Sequence, residues 1–520
     1  MTTPHTTHGL PLPEFDLRKL WSSQRHLIFF ALFLSAVTLI LVNRALVAPE
    51  AADHAMWDYM AQAILRGQVP YKDVVNIKTP LSAYLSALAL LVGRAVGLND
   101  LIAIRCLYIS LAAALLLVTL AVTEAYSGSR IAALLAFCAP LACPRFYSWA
   151  STGSEPKLVM ILFGMLSVLF VAKNQPSWAG FAAMLSCLSW QPGLLFAGTA
   201  LLAVWPNKRS VVRTAAGAAI PLLATILYFY WVGGLRDLWR WCFVFDLTVY
   251  APQGFRSLAE QASHIAAVAH RVLAAPGLLV LGLGAIGYAT ALFAALRRSG
   301  HAGRAPVAAI LLPPAIYVAY WRFDFNSGPY LIPIFPFAAV FAGWLIAGVI
   351  KAIALRWSAA EKRRVLNLQL LQVLGLIVFA VAAYLAVAAS LNSKYQGLTL
   401  DDDYAMLRTL TDRLAAEDTI YAHGEINILA LLNRPNASKY LWFDRGKDDF
   451  AGAQVPGGFQ EILEAIKSQK PKFVELGRSN GVRCQPDLEE WMDRDYSPFP
   501  LPGFEVYMRR PAPSERSTNQ

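Results

Sequence analysis

From Asp53 to Ala83 the chain reads DHAMWDYMAQAILRGQVPYKDVVNIKTPLSA, a polar stretch that follows directly on the first apolar run of membrane length. It opens on Asp53, continues through a short helix carrying Trp57 and Tyr59, and turns at Pro70-Tyr71 beside a second acid, Asp73. It closes on Lys78, two residues before Pro80. A carboxylate can take a proton from an attacking group, and a fixed ammonium can hold negative charge as it develops. A connector between two membrane helices needs neither. The stretch reads as an active-site loop.

The elements that must position this loop are mostly apolar. The chain has 520 residues, 57% of them hydrophobic and only 15% charged. Soluble domains carry roughly 25% charged residues, so composition alone indicates a polytopic membrane protein. The formal charge is +11, but many basic residues fall in short clusters between apolar runs: Lys208, Arg209 and Arg213; Arg297, Arg298 and Arg304; Lys351, Arg356, Lys362, Arg363 and Arg364. Such clusters orient a membrane protein with its basic loops inside. They speak against nucleic acid as a partner, which would call for one basic soluble face. Five of the six cysteines lie in or beside apolar stretches and Cys484 stands alone in the polar tail, so neither a metal site nor a disulfide framework is indicated. Arg18, Lys19 and Arg25 precede the first apolar run with no small-residue cleavage site, so that run is expected to remain as a signal anchor.

A spanning helix needs about 20 mostly apolar residues. The expected spans are residues 27–47, 101–122, 130–146, 157–173, 177–189, 190–205, 211–233, 274–296, 305–322, 328–350 and 368–391, about eleven in all. The run from Leu81 to Val96 is short and carries Arg94. Counting it as a span would put the basic clusters outside, so it is expected to be re-entrant or interfacial. The amino terminus, 1–26, is then cytoplasmic. Loop 48–100 and the tail face outside, together with Asp53, Asp73, Lys78, Glu155, Arg236, Asp237, Arg240, Asp246 and Asp324. Ionisable groups near a bilayer persist where they pair or do chemistry.

From about residue 393 the composition becomes that of a soluble α/β module, with helix, strand and turn patterns alternating to residue 520. His423-Gly424-Glu425 at a strand end has the residue types to touch a ligand, although a turn with a solvated acid is the simpler reading.

The run D-x-x-x-W-x-x-x-A-x-x-x-L-x-G-x-x-P-Y-x-D-x-x-x-x-K-x-P-L, from Asp53 to Leu81, resembles the first exoplasmic loop of GT-C glycosyltransferases. The nearest group is the bacterial set classed with protein O-mannosyltransferases and lipid A aminoarabinose transferases. That loop usually opens Asp-Glu and closes Lys-Pro-Pro-Leu; here His54 and Thr79 depart from it. Weaker similarity runs through Glu155 in STGSEPKLVM, Tyr330 in PYLIPIFPFAAVFAGW and the α/β tail.

The resemblance implies a helical GT-C-like catalytic module over residues 27–392 and a small exoplasmic α/β domain over 393–520. It implies transfer of a sugar from a polyprenyl-phosphate carrier to an acceptor hydroxyl on the outer face of the plasma (inner) membrane. The acceptor is an envelope glycan, lipid or protein. Inverting transfer needs one base and a cation for the departing phosphate, which assigns Asp53 as base and Lys78 as phosphate ligand. Asp73, Glu155, Arg66, Tyr59, Tyr330, Arg236 and Arg240 are the further substrate-binding candidates. Arg236 and Arg240, beside Trp239 and Trp241, also fit an interfacial aromatic belt. The residues name no certain cofactor and leave metal dependence open: Asp53 and Glu155 could hold a divalent cation through oxygen. Three other functions compete. A polyprenyl-diphosphate-dependent glycan polymerase or ligase should carry a large Arg- and His-rich outer loop, and a transporter should show repeated halves with broken helices. A non-catalytic membrane scaffold is a third.

Overall fold

The computed structural model describes residues 24–141, 143–205, 207–250, 257–273, 275–297, 301–357, 398–415, 417–443, 446–477 and 485–511. Helix α1 (Arg25–Val42) is followed by α2 (Ala52–Leu65) and α3 (Leu81–Ala95) of the loop. Then come α4 (Asp100–Ser127), α5 (Arg130–Leu141), α6 (Pro144–Ser151), α7 (Pro156–Ala172), α8 (Pro176–Ser189) and α9 (Leu194–Val204). Helices α10 (Lys208–Trp231) and α11 (Leu235–Trp239) lead into a π-helix, Arg240–Tyr250. Helices α12 (Leu258–Val272), α13 (Ala275–Arg297), α14 (His301–Tyr320) and α15 (Phe335–Trp357) complete this part, with a 3₁₀ stretch, Gly328–Ile334, before α15.

Ten of the eleven expected spans coincide with helices, and 368–391 lies outside the described residues. Among the described residues five helices are long and apolar enough to cross a bilayer, or six if α5 and α6 form one bent span. The shortfall has local causes. Pro140 and Pro144 bracket a 71° bend between α5 and α6, and proline cannot continue a helical hydrogen-bond ladder. Trp190 adopts an extended backbone before the 3₁₀ turn Gln191–Gly193, which splits residues 176–204 into α8 and α9. Close approach is met with glycine. A Cβ at Gly180 would sit 1.9 Å from the carbonyl oxygen of Thr214, and one at Gly217 the same distance from that of Ser177, so α8 and α10 touch backbone to backbone.

Helix α3, at 15 residues, is shorter than the length that spans a bilayer. Tyr84 near its start hydrogen-bonds Tyr228 through their hydroxyls, and Arg94 at its end pairs with Asp100 at 2.7 Å. Asp100 in turn accepts from Asn433 of the tail. Leu88, Leu91 and Val92 of α3 are left exposed.

The tail comprises α16 (Leu400–Thr411), β1 (Ile420–Ala422), α17 (Asn427–Leu432), α18 (Lys447–Gly452), α19 (Gly458–Ser468), β2 (Phe473–Glu475), α20 (Gln485–Asp495), β3 (Tyr496–Leu501) and β4 (Phe504–Arg509). Its sheet runs β1-β2-β4-β3, with β1 parallel to β2 (Ile420 opposite Phe473) and the other pairs antiparallel. The tail docks on the loop through polar bonds. Val75 N–H donates to the Lys439 carbonyl at 2.8 Å, Gln62 Nε2 donates to the Ala430 carbonyl at 2.9 Å, and Glu50 N–H donates to Asp403 at 2.8 Å. Tail and loop therefore lie on one side of the helical bundle.

Candidate active site

The first turn of α2 sets the position of Asp53, which is exposed and helps line a cavity of about 380 Å³ between the bundle and the tail. Buried polar contacts hold this turn from both ends. Glu50 pairs with Arg105 at 2.9 Å with both side chains fully buried, and Arg105 also donates to the carbonyls of Leu46 and Ala48. Glu50 also lies close to Asp58, and burial pushes both carboxyls upward. Asp58 accepts from the Ser154 N–H at 3.2 Å, and Ser154 Oγ lies 2.7 Å from Ser86 Oγ. This fixes the segment that delivers Glu155 to the cavity.

Glu155 caps the start of α7 by accepting from the Lys157 N–H at 3.0 Å, and its Oε1 also receives the Lys157 ammonium at 3.1 Å. His54 is buried behind it, with Nε2 at 3.9 Å from Glu155 Oε2 and Nδ1 at 3.5 Å from Thr152 Oγ1. There is room for the imidazole because residue 153 is glycine: a Cβ there would lie 2.6 Å from His54 Cβ.

Lys78 enters the same cavity from the end of the loop. Its Nζ has no hydrogen-bond acceptor among the described residues; Asp324 Oδ2 stands 3.9 Å away, and the Trp190 and Tyr250 rings lie 5.2 and 5.3 Å from it. Burial works against the ammonium, but the carboxylates of Asp324 and Asp246 outweigh it and raise its pKa, so the group stays charged. Asp324 is itself saturated: Tyr330 and Tyr320 hydroxyls each donate at 2.8 Å and Asn326 donates at 2.7 Å. A buried ammonium short of acceptors and facing a cavity is a seat for an anion.

Asp53, Lys78, Glu155 and Tyr330 thus line one cavity. The other five candidates lie elsewhere. Tyr59 accepts from the Asn436 N–H at 2.8 Å, and Arg66 donates to Asn433 at 2.7 Å, so both hold the tail onto α2. Asp73 closes the Pro-Tyr turn by accepting from the Val69 N–H at 2.8 Å. Arg240 donates to Gln454 of the tail at 3.4 Å. Arg236, on α11, does not line the cavity. Trp239 is exposed, as an aromatic belt needs, but Trp241 is buried against Tyr440 and Phe450 and cannot belong to one.

Among the described residues no group of three or more His, Cys, Asp or Glu side chains is placed to hold a metal. The Asp53 and Glu155 pair does not fit a divalent cation either, because a lysine ammonium already occupies Glu155 Oε1 and an imidazole faces Oε2.

The arrangement has relatives. Residues 67–227 match a family described as DolP-mannose mannosyltransferase. A dolichol phosphate-mannose mannosyltransferase of Haloferax volcanii is 25% identical over 189 residues, 36% of this chain and 41% of that protein, so the match spans about two fifths of the relative's length. ArnT from Cupriavidus metallidurans, solved bound to undecaprenyl phosphate, superposes with a TM-score of 0.61 at 13% identity over 94% of this chain and 98% of its own. The AglB oligosaccharyltransferase of Archaeoglobus fulgidus, solved with an inhibitory peptide and a dolichol-phosphate, gives 0.51 at 12% identity over 87% and 69%. The chain has the GT-C glycosyltransferase fold.

In this GT-C fold the cavity has a second wall that sequence reasoning did not assemble. The turn His423-Gly424-Glu425 faces the cavity with Trp442, Phe443 and Lys447, so the reading of that turn as a simple solvated one is corrected. Lys157 and Trp190 were also missed. The only sequence signal for Lys157 was its place two residues after Glu155 at a helix start. Trp190 stood beside Gln191-Pro192 and marked only a helix break.

Proposed function

We propose that this chain is a membrane glycosyltransferase that moves a sugar from a polyprenyl-phosphate carrier onto an acceptor hydroxyl. The site lies on the outer face of the plasma membrane, with the amino terminus inside and the tail outside. The two sequence matches favour mannose as the sugar and an isoprenoid phosphate as the carrier. The observation that carries the reading is the sharing of one cavity by the Asp53 carboxylate and a Lys78 ammonium that lacks an acceptor.

The acceptor oxygen attacks the anomeric carbon from the face opposite the phosphate, and its proton passes to Asp53. The bond between that carbon and the phosphate oxygen breaks, and the electron pair leaves with the polyprenyl phosphate. No general acid is needed, because the phosphate departs as an anion held by Lys78 with Lys157 nearby. Asp324 and its tyrosines keep Lys78 charged and aimed. Glu155, bonded to Lys157, sets the second ammonium. No step runs through a metal ion.

The test is transfer from radiolabelled polyprenyl-phosphate mannose by full-length protein in membranes. Asp53→Asn is expected to lower the rate by about 10²-fold or more while undecaprenyl phosphate binding persists. Undiminished transfer by correctly folded Asp53→Asn protein would remove Asp53 as base and this mechanism with it.

A further inference from the structure

We propose that Asn76 and Trp190 complete the phosphate seat begun by Lys78, and that these three donors fit the departing phosphate better than the sugar-bearing one. The inference rests on the transferase reading and adds two residues to its reaction.

Three buried donors on cavity-lining residues lack an acceptor among the described residues: Asn76 Nδ2, Lys78 Nζ and Trp190 Nε1. Asn76 and Trp190 are 0% and 1% exposed. A buried N–H without a partner is costly, and such groups are rare in folded proteins. Three in one wall, one of them charged, mark a place where an anion supplies the missing acceptors. Lys157 is left out of the count because Glu155 already accepts from it.

The chain builds this wall from two elements. Asn76 Oδ1 accepts from the Ile77 and Lys78 N–H groups at 2.6 and 3.2 Å, which leaves the amide nitrogen as the unused end. Trp190 takes an extended backbone where α8 breaks from α9, and Tyr317, Tyr320 and Tyr330 pack T-shaped against its ring. The elements are tied together: Gln191 Nε2 donates to the Ile77 carbonyl at 2.6 Å, and Thr79 Oγ1 to the Cys187 carbonyl at 2.8 Å. Lys78 Nζ lies 5.2 Å from the centre of the Trp190 ring, a gap that one phosphate bridges with bonds of about 2.9 Å.

Counting oxygens gives the seat its selectivity. In the sugar-bearing carrier the phosphate is a diester with two unesterified oxygens. When the bond from the anomeric carbon breaks, its electron pair stays on the bridging oxygen, and the polyprenyl phosphate leaves with three. The three donors therefore find a full set of acceptors only as that bond breaks. Interactions gained only in the transition state raise the rate of the chemical step.

The experiment uses purified full-length protein in nanodiscs. Thermal stabilisation across a titration gives the affinity for undecaprenyl phosphate and for its methyl diester, which lacks the third free oxygen. Trp190→Phe keeps a ring facing the two ammonium groups, and Asn76→Ser keeps an oxygen for the turn. Each is expected to weaken undecaprenyl phosphate binding by about tenfold and diester binding by less than about threefold. In transfer assays each should lower kcat with little change in KM for the sugar donor. Lys78→Gln should weaken both lipids. The two variants alter different elements, so misfolding of one leaves the other to decide. A folded variant that binds undecaprenyl phosphate as wild type does, or that loses both lipids equally, overturns the seat. Failure of wild-type protein to bind undecaprenyl phosphate would instead count against the transferase reading.

Discussion

Lys78 and Lys157 hold their ammonium groups at the same distance, 5.2 Å, from the ring of Trp190. They reach it from different elements, Lys78 from the end of the loop and Lys157 from the first turn of α7. Lys157 also lies 5.0 Å from the Tyr330 ring. The indole is thus a shared platform that steadies two cations which would otherwise repel.

Their roles separate by pairing. Lys157 is already bonded to Glu155, whereas Lys78 has no hydrogen-bond acceptor. Lys78→Gln is expected to reduce transfer by about 10²-fold and to weaken undecaprenyl phosphate binding. Lys157→Gln should cost about tenfold, with Lys157→Arg near wild type, because its charge acts beside the phosphate through a partner. Equal losses in both Gln variants would show that the two lysines are equivalent ligands. The check is rate and lipid affinity measured on the same preparations.

The Glu155–Lys157 bond makes a second prediction. A divalent cation bridging Asp53 and Glu155 would have to displace that ammonium. Transfer is therefore expected to survive exhaustive chelation with EDTA, and added magnesium or manganese should change the rate by less than about twofold. Loss of activity on chelation with recovery on adding metal back would contradict the arrangement of Glu155.

Much of the fold was legible because its signals are local. Apolar runs placed ten helices, and the run Leu81–Ala95, read as too short to span, forms a 15-residue helix tied to Tyr228 and Asp100. Asp53, Lys78, Glu155 and Tyr330 were also legible, since each sits where a polar residue or motif interrupts an apolar pattern. Tyr59 and Arg66 were read as ligand contacts because the sequence gives no hint that the tail docks on α2, some 370 residues later. Trp442 and Lys447 were invisible as site residues for the same reason, and His423 was legible only as a turn residue able to touch a ligand. Their approach to Asp53 depends on tertiary docking, which no spacing encodes.

Gly153 tests how tightly the site is built. A Cβ there would fall 2.6 Å from His54 Cβ and 2.8 Å from its Nδ1, so the imidazole would have to move off Glu155 and Thr152. Gly153→Ala should destabilise the protein by roughly 1–3 kcal/mol, as overpacking does, and lower transfer as well. The double variant Gly153→Ala/His54→Gly, which removes the opposing Cβ together with the ring, should regain part of the stability. Absence of that rescue in thermal unfolding would mean the strain lies in the backbone and not against His54.

Glu475 gives the tail a pH dependence of predictable sign. Burial raises its carboxyl from the ordinary 4.5 to about 7, with the Glu425 and Gly424 N–H groups opposing. The folded state therefore binds the proton more tightly than the unfolded state. Its stabilising contribution is complete below pH 4.5, declines as pH rises toward 7, and is gone above it. Glu475→Gln removes the titration while keeping an oxygen for the two N–H groups. Between pH 4.5 and 7.5 the variant should gain on wild type by on the order of 3 kcal/mol, read as converging or crossing unfolding temperatures. A stability difference that does not vary with pH would show that Glu475 stays ionised in the fold, and the turn would then have to be held in place by its neighbours instead.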